Sequence, residues 1–145
     1  MTQIDQAAFQ GSGIKDFGWP ANCKIIPKSC FAGSYLTSIS GISNVEKICD
    51  SAFKKSDIQE LNWPDKCHSV PYECFERCHM TKISNTQSID EIESYAFEDA
   101  TFSEKLDFSS SIQLKIHNSA FRGVDNNMVT FPYYYQLGAF DFAFK

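Results

Sequence analysis

One spacing in the sequence constrains the fold more than any other feature, because the same aromatic residue returns at a fixed interval. Five phenylalanines lie 22 residues apart, and a sixth follows after 24 residues: Phe9, Phe31, Phe53, Phe75, Phe97 and Phe121. The residue before each of them is small, either alanine or cysteine. A fixed period near 20 residues is typical of a solenoid, in which successive coils of the chain stack on one another.

Three further apolar columns keep the same register. Five residues before each phenylalanine stand Ile4, Ile26, Ile48, Val70, Ile92 and Ile116. Five residues after stand Ile14, Leu36, Ile58, Met80 and Phe102, and eight after stand Phe17, Ile39, Leu61, Ile83 and Val129, with Leu106 one place late. A single coil cannot bury these side chains by itself, so neighbouring coils must stack to form a core.

A longer period of 44 residues is superimposed on the first. The residues that recur at this interval include a Trp-Pro-x-x-Cys motif, at Trp19 to Cys23 and again at Trp63 to Cys67. Gly41 lies between the two tryptophans in the same column, and Asn85 follows the second. Coils in a parallel ladder are ~4.8 Å apart, so tryptophans in adjacent coils would collide. Alternate coils are therefore expected to differ.

The local pattern within a coil predicts both strand and helix. Segments that begin five residues after the phenylalanines, such as LTSIS from Leu36 and IQELN from Ile58, alternate apolar and polar residues and predict short strands of a parallel ladder. The stretch that ends in Ala-Phe or Cys-Phe predicts one helical turn. The resulting fold class is an α/β solenoid of about six to seven coils, each of 22–24 residues.

These patterns allow a family resemblance to be stated. The segments VEKICDSAFKKSDIQEL and SIDEIESYAFEDATF resemble the BspA-like leucine-rich repeats, and the resemblance extends from Ile4 to about Phe131. It implies a right-handed superhelix with short parallel strands on one face, and a bacterial or protist surface protein with an adhesive or protein-binding role. We expect one domain, 1–145, with an irregular last coil over 125–145. Whether the chain is complete or a piece of a longer protein is left open.

Composition excludes several classes of protein. The chain is 43% hydrophobic and 14% aromatic, which is enough to build a core and argues against disorder. A formal charge of -5 and a pI near 5.1 argue against binding to nucleic acid. There is no apolar run of the roughly 20 residues needed to span a membrane, nor a secretory signal at the N-terminus. The family resemblance implies a secreted or cell-surface location, whereas reduced cysteines would favour the cytoplasm.

The six cysteines allow disulfides, a metal site or buried free thiols. Cys23 with Cys67, and Cys30 with Cys74, occupy the same columns two coils apart, about 9.6 Å, which is beyond the reach of a disulfide. Cys49 and Cys78 stand where other coils have small residues or proline. The sequence therefore predicts free thiols that fill the core.

The chain offers little to support catalysis. Cys67, Cys74, Cys78 and His79 are the weak candidates for a metal site, but their spacing matches no standard zinc module. No nucleophile elbow, phosphate-binding loop or zinc-protease motif is present. We therefore predict no enzyme activity, no catalytic residue and no cofactor. A metal-dependent activity at Cys67, Cys74 and Cys78 is the second alternative function.

The leading functional hypothesis is a non-enzymatic protein-interaction scaffold, as a recognition or adhesion module of a larger surface protein. Its candidate partner-binding residues are the outward residues of the strand face: Asp16, Ser38, Glu60, Asn62, Lys82, Ser84, Lys105 and Asp107. The first alternative is a structural subunit or rod segment that makes contacts through its ends, including an end-to-end contact through Tyr133–Phe144. No nucleic acid or membrane span is expected among its partners.

Two segments leave a choice open. Between Thr86 and Ser110, seven acidic residues face one lysine, a local charge of -6 that predicts either a solvated surface or a patch for a basic partner. The aromatic segment from Tyr133 to Phe144 predicts either a cap folded over the last coil or a surface that docks on another chain.

Overall fold

The computed structural model describes residues 2–133 and 139–145. Its strands are only two or three residues long. In chain order they are β1 (Asp16–Gly18), β2 (Ile25–Ile26), β3 (Ser38–Ser40), β4 (Lys47–Ile48), β5 (Glu60–Asn62), β6 (Ser69–Val70), β7 (His79–Met80), β8 (Lys82–Ser84), β9 (Glu91–Ile92), β10 (Thr101–Phe102), β11 (Leu106–Asp107), β12 (Lys115–Ile116) and β13 (Val129–Thr130). Three short 3₁₀ helices span Thr86–Ser88, Asn126–Met128 and Asp141–Phe144.

Every strand pairs in parallel with a strand of another coil, as the repeat predicts. Phe17 lies opposite Ile39, Leu61 opposite Ile83, and Val70 opposite Ile92. The chain is therefore a parallel-strand solenoid, of about five turns. Two finer expectations are not confirmed. The described residues contain no α-helix, which corrects the α/β class, and the strand pairing does not confirm six to seven coils.

The described strands occupy three positions of the coil, called ladders A, B and C, and within these positions hydrogen bonds join them into six separate sheets of two or three strands. Ladder A contains β2, β4, β6, β9 and β12, ladder B contains β7 and β10, and ladder C contains β1, β3, β5, β8, β11 and β13. The segments from Leu36 and Ile58 were predicted to be longer strands, but β3 and β5 begin two residues later. In the fourth and fifth coils, bends at Thr81 and at Ser103–Glu104 separate the ladder B strand from the ladder C strand.

The phenylalanine column forms one continuous stack through the core. Neighbouring rings from Phe9 to Phe121 have centroids 5.3 to 5.7 Å apart and lie within 9° of parallel. Every ring from Phe31 to Phe121 is fully buried. Each interior ring therefore packs against the rings of the two neighbouring coils. This packing requires the nearly constant spacing of the phenylalanines.

The segment around each phenylalanine is a series of tight turns, which corrects the expected helical turn. In the second coil the amides of Cys30, Ala32 and Ser34 donate to the carbonyls three residues earlier, at 3.1 to 3.2 Å. Two residues within this segment, Ser29 and Gly33, have φ of 56° and 66°. A left-handed residue on each side of the phenylalanine reverses the chain instead of continuing a helix.

This geometry predicts a cost for a side chain at Gly33. Gly33→Ala is expected to destabilise the chain by about 1 kcal/mol, because a left-handed conformation is unfavourable for residues with a Cβ. Gly13→Ala is the matched control, since neither glycine has an atom within 4 Å of the added Cβ but only Gly33 has a positive φ. Chemical denaturation of both variants measures the difference. Equal stability of the two would contradict the assigned turn.

The Trp-Pro-x-x-Cys motif closes a loop between ladder C and ladder A. The Trp63 indole donates from Nε1 to the Cys67 carbonyl at 2.7 Å, and Trp19 makes the same bond to Cys23 at 2.8 Å. A Cβ at Gly41 would lie 2.9 Å from the Trp19 carbonyl oxygen. The coil between the two tryptophans therefore needs glycine in this column for a backbone reason, in addition to the predicted clash between rings.

The described part of the C-terminal segment continues the solenoid. Phe144 stacks on Phe121 at 5.3 Å and 20°, and the Phe121 amide donates to the Ala143 carbonyl at 2.7 Å. Ala143 and Phe144 thus repeat the small-phenylalanine pair of earlier coils. Phe140 packs on Phe131 at 4.6 Å. These contacts are those expected of a cap. Tyr134, Tyr135 and Leu137, which belong to the predicted aromatic segment, lie outside the described residues.

Candidate functional site

The predicted partner-binding residues share the ladder C face over four successive coils. Asp16 lies opposite Ser38, Glu60 opposite Lys82, and Asn62 opposite Ser84. All of these side chains are exposed except that of Lys82, which is half-buried. The hydroxyl of Ser38 donates to the Asp16 carboxylate, and that of Ser84 donates to Asn62 Oδ1 at 3.3 Å. The ladder therefore arranges these polar groups in rows along the solenoid axis.

The remaining two predicted residues lie where the register slips. Asp107 is exposed in β11, which pairs with β13, and Lys105 is exposed but precedes that strand. The coil between Phe97 and Phe121 has two additional residues, and its inward residue, Leu106, lies one position later than in earlier coils and is also the first residue of its strand. As a result, Lys105 does not continue the row of Glu60 and Lys82 within a strand.

The acidic segment from Thr86 to Ser110 is not an isolated negative patch. Glu98 Oε1 lies 4.0 Å from Arg122 Nη1, and Asp99 Oδ2 lies 3.9 Å from Arg77 Nε. Glu91 Oε2 lies 3.8 Å from Lys115 Nζ. His117 Nε2 is 2.8 Å from the same Glu91 carboxylate. Residues of adjacent coils thus supply neighbouring cationic and polar groups, which a count along the sequence does not reveal. The structure therefore favours the solvated surface over the patch.

Lys54 lies between two carboxylates and links the turn around Phe53 to the turn around Phe75. Lys54 Nζ lies 2.7 Å from Glu73 Oε2 and 3.0 Å from Glu76 Oε2. The hydrogen bond with Glu73 raises the pKa of Lys54. Burial would raise the pKa of Glu73, but the lysine outweighs burial and holds this pKa below its usual value. Both groups are partly exposed, so we assign the cluster a modest structural role.

All six cysteines lie within residues 2–133 and none forms a disulfide there, and five of the six are buried. Burial raises the pKa of Cys30 and Cys78 to about 12 and that of Cys67 to about 11. Cys49 differs from the prediction, because it is only partly buried. It lies on the outer side of ladder A, between Pro27 and Pro71 in the same column.

The weak metal candidates are not arranged as a metal site. Cys67 Sγ donates to the Val45 carbonyl at 3.5 Å and Cys78 Sγ to the Phe53 carbonyl at 3.0 Å, both within the core. His79 is exposed and bonds through Nδ1 to Thr101 Oγ1 at 2.9 Å. Within residues 2–133 and 139–145, no group of three or more histidine, cysteine, aspartate or glutamate side chains is placed to hold a metal ion.

Thiol labelling should separate Cys49 from the other cysteines. At pH 8 in the native state, we expect one thiol to react with a maleimide reagent at least tenfold faster than the other five. Burial limits access to those five, and burial also raises the pKa of Cys30, Cys67, Cys74 and Cys78, so these four thiols stay protonated and weakly nucleophilic. Peptide mapping identifies the fast site, and labelling in denaturant should give six equivalents. Rapid native labelling of Cys30 or Cys78 would contradict the buried assignment.

The ladder A face carries a groove that the sequence did not predict. Three depressions of about 540, 570 and 590 Å³ follow one another along it. Lys28 and Cys49 line both the first and the second, and His68 lines both the second and the third. They are therefore neighbouring parts of one surface. The depth of this surface depends on side chains from several coils, so no single repeat indicates it.

No helix within the described ranges is long and apolar enough to cross a membrane.

A sequence profile described as the BspA type Leucine rich repeat region matches residues 2–128, in six copies. No curated protein and no solved structure gives a significant match to the chain.

Proposed function

The chain belongs to the BspA-type leucine-rich-repeat family, and from this premise we propose that it is a non-enzymatic protein-interaction module. Repeats of this family generally serve protein interactions and are generally non-enzymatic. Stacked repeats suit this role, because they present the same positions of successive coils on one extended surface.

The observation that carries the proposal is the arrangement of side chains on ladder C. Asp16, Ser38, Glu60 and Lys82 follow one another at the same position of four coils, and Asn62 and Ser84 extend a parallel row. The ladder holds the backbone beneath these groups in place. The scaffold therefore loses little conformational freedom when a partner binds, which favours recognition through a polar surface.

A charge swap tests this surface without changing the net charge. Glu60 and Lys82 lie directly opposite each other, so the double variant Glu60→Lys, Lys82→Glu exchanges the two charges between neighbouring positions of the ladder. A photo-reactive amino acid at position 62 first identifies the partner by cross-linking in cells. The swap should then weaken the purified complex at least tenfold, about 1.4 kcal/mol.

The matched control is the swap Glu98→Arg, Arg122→Glu, in the turns that contain Phe97 and Phe121. There Glu98 Oε1 and Arg122 Nη1 lie 4.0 Å apart. It should leave affinity for the cross-linked partner unchanged. Equal affinity of both swaps and the original chain would contradict a recognition role for the ladder C face.

The finer part of the proposal is adhesion at a cell surface, as a module of a larger protein. It rests on the family resemblance alone. Immunolabelling of intact and permeabilised cells tests it, since a surface module must be labelled without permeabilisation. Labelling that requires permeabilisation would contradict this part and leave the interaction function in place.

A second candidate function is a structural segment that makes contacts through the solenoid end. The observation in its favour is the aromatic surface at the C-terminal end, where Tyr133 is 96% exposed and Phe142 41% exposed. Sedimentation velocity over a range of concentrations tests it. Association that is lost in Tyr133→Ser, Phe142→Ser would support an end-to-end contact, and a monomer at every concentration would contradict self-association.

A further inference from the structure

We propose that the groove on ladder A binds an extended, acidic segment of a partner polypeptide. This inference rests on the proposed function that the chain binds proteins, and it adds a second surface and a ligand chemistry. The acidic side chains of the segment would lie over lysines at the N-terminal part of the groove, and its apolar side chains over the floor between them.

The shape of the groove favours an extended chain. Its first two depressions share Lys28 and Cys49, and together they extend from Thr2 to Glu93 across successive coils. Coils of a parallel ladder are ~4.8 Å apart, so four coil steps span about 19 Å. An extended peptide covers ~3.3 Å per residue, and about six residues would fill this length. The surface is open along its length, which a polypeptide passing through it requires.

The floor of the groove is partly apolar. Pro27, Cys49 and Pro71 follow one another at the same position after the ladder A strands. Ile25 projects beside them with half of its surface exposed. An exposed isoleucine next to a proline and a thiol offers contact area to alternate side chains of an extended segment, while polar groups at the rim remain in water.

The charge of the groove indicates the sign of its ligand. Lys24, Lys28, Lys47 and Lys66 are all exposed along its first two depressions. Within the described residues, none of the first three has a carboxylate within 4 Å, and Lys66 is 4.0 Å from Glu46. Four of the thirteen cationic residues are thus concentrated here, in a chain whose net charge is -5. Largely unpaired lysines favour an anionic ligand.

Two carboxylates between these lysines favour a polypeptide over a uniform polyanion. Glu46 and Asp50 line the same depression as Lys47 and Lys66, and they would repel a ligand with a charge on every unit. Glu93, whose Oε2 accepts from the Tyr72 amide at 3.0 Å, lies at the far side. A peptide that alternates glutamate with small apolar residues can place its charges beside the lysines and avoid these positions.

A fluorescence anisotropy titration tests the proposal with a defined probe. The probe is a fluorescein-labelled peptide of about six residues, as the groove length suggests, with glutamate alternating with valine and alanine. Lys28→Glu, Lys47→Glu should weaken its binding at least tenfold. Lys15→Glu, Lys55→Glu makes the same change of charge at two exposed lysines outside the groove and outside the proposed ladder C residues, and its affinity should stay within about twofold of the original.

The groove also contains its own reporter, because Cys49 lies in its floor. Saturation with the glutamate peptide should slow maleimide labelling of Cys49 at least threefold, whereas a lysine-containing peptide of the same length should not change the rate. Protection of Cys49 together with the loss of affinity in Lys28→Glu, Lys47→Glu supports the proposal.

Three kinds of result would overturn it. One is equal weakening by the two double variants, which indicates a diffuse electrostatic attraction. Another is no measurable binding of the glutamate peptide, or binding without protection of Cys49. The third is tighter binding of a heparin oligosaccharide that protects Cys49 equally, which would assign the groove to a polysaccharide. None of these results affects a partner that cross-links to position 62, so failure of the groove and failure of the interaction function can be distinguished.

Discussion

Phe53→Ala is expected to destabilise the whole chain by about 3 to 5 kcal/mol, because it removes a buried ring from the middle of the phenylalanine stack. Phe53 lies between Phe31 at 5.7 Å and Phe75 at 5.5 Å, and the three rings are nearly parallel. It is fully buried, so the alanine variant would leave a cavity that both neighbouring coils border. Guanidinium denaturation followed by tryptophan fluorescence measures the loss.

The same experiment tests whether the chain is one domain. With so few coils, unfolding of Phe53→Ala should remain a single transition at a lower denaturant concentration. Phe142→Ala is a suitable control, because its ring is 41% exposed. Its truncation should lower the free energy of unfolding by well under half of the loss in Phe53→Ala. A loss below about 1 kcal/mol in Phe53→Ala would contradict the buried stack.

Deletion of Gly138–Lys145 is the second change with a large expected effect. It removes Phe144 from its stacked position on Phe121 and takes away the Ala143 carbonyl that accepts from the Phe121 amide. It also removes Phe140 from Phe131. Exposure of two aromatic rings and of an unpaired ladder edge should lower stability by several kcal/mol and cause aggregation. Sedimentation velocity and thermal unfolding of the truncated chain measure both effects.

The alternative for the same segment gives the opposite result. If residues 138–145 form a surface that docks on another chain, the truncated protein should become more monomeric than the original. Phe144→Ala keeps the backbone of the segment and isolates the contribution of the ring to the stack. A truncated chain that is equally monomeric and equally stable would contradict both the cap and the interface.

The inward columns were predictable from the sequence, because burial alone selects them. The phenylalanines from Phe31 to Phe121, with Ile26 and Val70 of ladder A, recur at the period of the coil and are fully buried. A residue that must be apolar in every coil leaves a visible pattern. The parallel pairing follows from the same pattern, since equivalent residues of adjacent coils must lie side by side.

The backbone of the phenylalanine turns was not predictable in the same way. Of the two left-handed positions of each turn, the one after the phenylalanine carries glycine in three of the six turns. The one before the phenylalanine never does, and Ser51, Glu73 and Tyr95 occupy it with φ between 54° and 59°. Hydrogen bonds between stacked turns hold these residues in a conformation that their own preferences disfavour. The segment therefore resembles a helical turn in sequence and is not one in the structure.

The sequence by itself determined the solenoid, its register and its core, because each depends on a pattern that every coil repeats. Only the tertiary structure decided the surface. It placed Arg77 beside Asp99 and Lys28 beside Cys49 in a groove. These neighbours lie about one coil apart along the chain and occur in single coils, so no repeat marks them. Their proximity depends on how the coils stack, and the surface they form is where we place the proposed binding.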